Sequence, residues 1–106
     1  MSLSNLFADI PTHLPEELSE LLLARGRIRV ERILSRGHAS PPDFWYDQPQ
    51  GEFVVLLAGW ARLTFEDESL ELVPGSFVEI PPHKRHRVEA TDSEQTTIWL
   101  AIFYDA

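Results

Sequence analysis

The sequence predicts an all-β domain, a sandwich or closed barrel, carrying one helix near its N-terminus. Three observations point there. From residue 27 onward the chain breaks into short runs rich in β-branched and aromatic residues. Turn-forming residues separate these runs at intervals of roughly eight to twelve residues. Helical periodicity shows in one place only, residues 15–26.

In PEELSELLLARG, residues 15–26, Leu14, Leu18, Leu21 and Leu22 follow the i, i+4, i+7, i+8 stripe of a helix with one apolar face. Pro15 suits a first helical turn, Glu16 and Glu17 suit the positive end of the dipole, and Gly26 is a natural stop. The expectation is a helical segment, 1–26, packed outside a barrel formed by 27–106.

The strand candidates follow in order: RIRVERILS, EFVVLLAG, WARLTFE, SLELV, SFVEI, HRVEA and TTIWLAIFY. Pro41-Pro42, Pro49-Gln50-Gly51, Glu66-Asp67-Glu68, Pro74-Gly75, Pro81-Pro82 and Asp92-Ser93 punctuate them. WARLTFEDESLEL reads as a hairpin, with Ala61, Leu63 and Phe65 on one face and Trp60, Arg62 and Thr64 on the other. In the last run Trp99, Ala101 and Phe103 share one face, and Ile98, Leu100 and Ile102 the other. Both faces are apolar, so both need cover. The helix is the expected cover for one, and a second copy of the chain in a two-fold homodimer for the other.

The chain has 106 residues, which suits one domain. It has no cysteine, so disulfides, thiolate metal sites and cysteine nucleophiles are excluded. No apolar run reaches the roughly 20 residues of a membrane span. MSLSNLFADIPTH lacks the charged start and apolar stretch of a signal peptide, so a cytoplasmic protein is expected. The formal net charge of −8 argues against a nucleic-acid partner. Arginines at 25, 27, 29, 32 and 36 cluster, but Glu31 interrupts them and the alternation fits a solvated strand edge. There is no nucleophile elbow, phosphate-binding glycine loop or H-E-x-x-H.

Chemistry concentrates in two stretches. The longest irregular region is GHASPPDFWYDQPQG, residues 37–51; PPHKRHRV, residues 81–88, carries His83 and His86. Asp47 precedes Glu52 by five positions, and Gly59 follows Glu52 after six residues. Downstream, Gly75, Pro81 and His86 are regularly placed. This pattern resembles the two motifs of the cupin family, G-x5-H-x-H-x3,4-E-x6-G and G-x5-P-x-G-x2-H-x3-N, over roughly residues 27–104. Glu52, Gly59, Gly75, Pro81 and His86 match. The two first-motif histidines fall on Trp45 and Asp47, the P-x-G glycine on His83, and the closing asparagine on Ala90.

The resemblance implies a double-stranded β-helix, or jelly-roll barrel, with a divalent metal inside held by Asp47, Glu52 and His86. One imidazole with two carboxylates suits Mn, Fe(II), Ni or Zn. Alternation puts Glu52 on one face with Val54 and Leu56, and His86 on one face with Val88 and Ala90. A carboxylate on a face turned into a barrel needs a partner. Asp47 could instead order its own turn. His38 and His83 are candidates for the barrel mouth, Trp45 for the pocket wall, Tyr46 for a hydroxyl and Gln48 for an amide that orients a small-molecule ligand. The function classes left open are a metal-dependent enzyme of dioxygenase or isomerase type, a non-catalytic binding or sensor module, and an interaction protein with a degenerate site.

Overall fold

The computed structural model describes residues 1–105. Eight strands form it: β1 Leu18–Arg25, β2 Ile28–Ser35, β3 Gly51–Ala58, β4 Ala61–Phe65, β5 Ser69–Leu72, β6 Phe77–Ile80, β7 His86–Thr91 and β8 Thr97–Tyr104. One sheet has the order β1-β2-β8-β3-β6 and the other β5-β4-β7. Every pairing is antiparallel. The two sheets face each other over one core of Val54, Leu56, Ala61, Leu63, Phe65, Leu72, Ile80, Trp99 and Ala101.

The expected helix over 15–26 is instead β1, an edge strand. It forms a hairpin with β2 through Gly26, whose φ of 54° is the left-handed conformation that glycine adopts freely. The leucine stripe misled because none of its members on the strand reaches the core: Leu18, Leu21 and Leu22 are 36%, 61% and 47% exposed. An isolated helix of about twelve residues is marginal in water. The open edge of β2 offers a full backbone ladder instead. It also pairs Glu20 with Arg32 at 2.6 Å. Arg32 further donates to the carbonyls of Leu6 and Ala8, so the first residues of the chain lie along this sheet in place of a packed helix.

The β4–β5 hairpin is as its alternation reads: Ala61, Leu63 and Phe65 are buried. On β8, Trp99 and Ala101 enter the core and Phe103 packs against it. On β7 a bulge shifts the register between Leu63↔Val88 and Arg62↔Ala90. Thr91 therefore opposes the buried Ala61 and is itself buried, whereas Ala90 opposes Arg62. The shared face expected for His86, Val88 and Ala90 ends at Val88.

A candidate binding site between the sheets

A strap from Tyr46 to Gln48 crosses the end of the barrel and is sewn to the 81–88 turn. Tyr46 and His86 form an isolated antiparallel bridge, Tyr46 N–H donating to the His86 carbonyl at 2.7 Å and His86 N–H to the Tyr46 carbonyl at 3.2 Å. Two residues on, His83 N–H donates to the Gln48 carbonyl at 2.8 Å. Extended backbone alternates its side chains. Tyr46 and Gln48 consequently point inward, and Trp45 and Asp47 do not.

Inside lies a cavity of about 170 Å³ whose walls include Ile33, Val54, Leu63, Ile80, Val88, Trp99 and Phe103. Its polar groups come from Glu17, Ser19, Glu31, Tyr46, Gln48, Glu52 and His86. That volume equals the liquid share of roughly five or six waters, enough for a small organic molecule. The form, apolar walls with a few converging polar groups, is that of a small-molecule site.

Glu52 and His86 meet here. Both are buried, and the His86 Nε2 to Glu52 Oε1 distance is 3.9 Å, too long for a hydrogen bond. His86 Nδ1 lies 2.9 Å from the Lys84 carbonyl. A carbonyl only accepts, so in the neutral ring Nδ1 carries the proton and Nε2 presents its lone pair to the cavity. The His86 ring stacks on Tyr46 at 5.4 Å. Gln48 Nε2 donates to Glu52 Oε1 at 3.0 Å. Burial raises the Glu52 carboxyl above its ordinary range, opposed by the Gln48 hydrogen bond and by His86. Burial, then the Glu17 and Glu52 carboxylates, likewise raises Tyr46 and keeps it a neutral phenol. A carboxyl raised in this way beside a free imidazole nitrogen is suited to accept and return a proton.

The raised carboxyl has a measurable consequence. Folded Glu52 keeps its proton to higher pH than the unfolded chain does. The folded state therefore loses stability relative to the unfolded one as pH rises from about 4.3 through the folded pKa. Glu52→Gln removes this loss. Comparing urea midpoints, the variant should gain on the wild type between pH 4 and pH 8. A difference that does not change with pH, or moves the other way, would show that Glu52 ionises without hindrance.

The remaining predicted residues are elsewhere. Asp47 Oδ1 is 2.7 Å from His83 Nδ1, in a pair with half or more of each side chain exposed at the rim. His83 takes a φ of 62° in this turn. Trp45 carries the Arg85 guanidinium over its ring at 5.4 Å. His38 faces a neighbouring hollow with Pro15, Glu16 and Ser40. Its Nδ1 accepts from Arg36 N–H at 2.8 Å, so Nε2 donates to the Pro15 carbonyl at 3.1 Å, tethering the approach to β1. Among the described residues no three His, Cys, Asp or Glu side chains come together as a metal-holding group.

Two cavity acids went unrecognised in the sequence. The sequence pattern suits Glu17 to a helix terminus and Glu31 to a solvated edge. Glu31 shares its face of β2 with Ile33, a parity visible in the sequence once β2 is known to line the interior. Glu17, itself exposed, ends a chain in which the buried Trp99 Nε1–H donates to Ser35 Oγ at 3.2 Å and Ser35 Oγ–H donates to Glu17 Oε2 at 3.1 Å.

A family model for the cupin domain matches residues 26–103. The chain belongs to the cupin family. Within it, the three-residue form of the first motif spacing sets the histidine positions on Tyr46 and Gln48, the two residues of the strap that face the cavity. A crystal structure from Ralstonia eutropha JMP134, of a "putative mannose-6-phosphate isomerase", is 44% identical, with each chain covered in full and a TM-score of 0.96. A cupin superfamily protein from Desulfitobacterium hafniense DCB-2 is 21% identical over 92% of this chain and 84% of its own, at a TM-score of 0.75. The polyketide cyclase RemF from Streptomyces resistomycificus is 19% identical over 87% of this chain and 67% of its own, at a TM-score of 0.72; both of these last likenesses concern the fold alone. No curated protein sequence matches the chain.

Proposed function

We propose that this cupin binds a small organic molecule between its sheets and holds the molecule's polar end with Glu52, His86, Gln48 and Tyr46. The observation that carries this is the convergence of Glu52, Gln48, Tyr46 and His86 on the cavity, with the buried His86 side chain leaving its Nε2 without a hydrogen-bond partner. An acceptor held in this way is open to a donor on a bound molecule. The resemblance to the Ralstonia protein supports an isomerase-type reaction, in which the Glu52–His86 pair would pass a proton between positions of the bound molecule.

The donor set does not fit the expected three-residue metal centre. Asp47 is committed to His83 at the rim, and Gln48 turns its amide nitrogen, not its oxygen, to Glu52. One observation favours a reduced form of the metal reading: the Lys84 carbonyl fixes His86 as an Nε2 donor, as a carbonyl does for many ligating histidines. Glu52 and His86 would then be the protein donors.

The test uses protein stripped with EDTA and a library of small polar molecules, followed by backbone NMR. Saturable shifts should centre on Tyr46, Gln48, Glu52, His86 and Trp99, and Glu52→Gln should weaken the best binder at least tenfold. Binders that shift only the outer faces would overturn the reading. Equal metal content in wild type and His86→Ala after loading with Mn, Fe(II), Ni and Zn would remove the metal form of it.

A further inference from the structure

Resting on that reading, the charge around the cavity narrows what the molecule can be. We infer that it is a small organic cation, an ammonium group on a compact apolar body, and not a phosphorylated or carboxylated compound. Three carboxylates, the buried Glu52, the half-buried Glu31 and the exposed Glu17, line the cavity, and no lysine or arginine does. The nearby cations are engaged elsewhere. Arg29 pairs with Glu31 at 2.6 Å while its guanidinium lies over the Phe103 ring at 4.4 Å, which leaves a formal balance of −2 when the three acids are ionised and Arg29 is counted with them. In the turn that carries His86, Lys84 reaches Asp67, Arg85 reaches Glu66, and Arg87 donates to the Ser40 carbonyl.

Acids alone would not make a site. The independent observation is His86, whose side chain is 5% exposed and whose Nε2 lacks a hydrogen-bond partner. In its neutral form this atom can only accept. Carboxylate oxygens also only accept when ionised. These acceptors therefore ask for a group rich in N–H or O–H donors, and their charge favours a positive one. An anion would meet repulsion from these carboxylates, most strongly from the buried Glu52. Tyr46, Trp99 and Phe103 add aromatic faces, which attract ammonium groups. Val54, Leu63 and Ile80 offer an apolar seat for the rest of the molecule. This selectivity runs against a sugar phosphate, the substrate class in the name of the Ralstonia protein.

The experiment titrates 15N-labelled protein with cyclohexylammonium, cyclohexanol, cyclohexanecarboxylate and mannose 6-phosphate, reading the indole N–H of Trp99 against that of Trp60. The first three probes share one ring and differ in charge. Cyclohexylammonium should shift Trp99 saturably and bind at least tenfold more tightly than cyclohexanol, a preference of about 1.4 kcal/mol. The carboxylate and the sugar phosphate should leave Trp99 in place. Added salt, and the paired change Glu17→Gln with Glu31→Gln, should narrow the gap between ammonium and alcohol. If the alcohol or either anion binds at Trp99 as tightly as the ammonium, the charge inference falls and the small-molecule cavity stands. If no probe moves Trp99, both fall.

Discussion

Gly59→Ala is expected to destabilise the protein by roughly 3 kcal/mol. Two costs combine. Gly59 has a φ of 86°, and a side chain in the left-handed region costs about 1–2 kcal/mol. A Cβ there would lie 2.3 Å from Thr97 Oγ1 and 2.6 Å from Thr97 Cα. The second contact is backbone, so rotating Thr97 cannot relieve it, and overpacking of this kind costs about 1–3 kcal/mol. Thr97 is also fully buried and donates to the Trp60 carbonyl, so little can move. In thermal unfolding the midpoint should fall by roughly 12–24 °C. Gly75→Ala is the control. Its φ is 94°, but nothing lies within 4 Å of the added Cβ, so backbone strain alone should register. Equal losses in the two variants would show that crowding against Thr97 is not what requires Gly59.

Trp99→Ala should cost about 3–5 kcal/mol, the range for deleting a large buried aromatic. Trp99 is 4% exposed and sits between the core and the cavity wall. Its loss would join the cavity to new empty space and deprive Ser35 Oγ of its indole donor. Trp99→Phe separates the two effects. It keeps most of the apolar contact and loses the hydrogen bond, for about 1 kcal/mol. Urea midpoints at constant m-value read both. A loss below about 1.5 kcal/mol for Trp99→Ala would mean that the walls collapse to refill the space.

The parts of the fold that could be read from sequence were those where one face is buried. On β4 alternation of side chains records the burial, because a slip by one residue would turn the apolar set outward; β8, apolar on both faces, shows itself as a strand without showing which face enters the core. Strand β1 records nothing of the kind. Its leucines stay exposed, and the residues that it and its approach turn to the cavity, Ser19 and Glu17, are polar. Apolar spacing there reflects neither packing nor a helix, and pairing with β2 decides. At the site, the inward position of Glu52 was readable from the parity of β3, and that of His86 from its spacing after Gly75 and Pro81. The strap is too short to show a parity of its own. Carboxylate chemistry favoured Asp47, and only the bridge between Tyr46 and His86 shows that Tyr46 and Gln48 face inward.

The position of β1 at the end of its sheet also bears on how quickly the cavity exchanges its contents. β1 bonds to β2 alone, with a bulge between Leu21 and Leu23, so it can detach without breaking any other ladder. Detachment would carry off Ser19 and loosen Glu17, leaving one flank of the interior open to bulk water. Elements with few buried apolar contacts open most often. Amide protons on β1 should therefore exchange with deuterium far faster than those on β3 or β8, and saturating the cavity should slow them more than any other strand. Entry and exit would then follow the rate of that fraying, and the residence time of a bound molecule would be set by how well it holds Glu17 and Ser19 against the barrel.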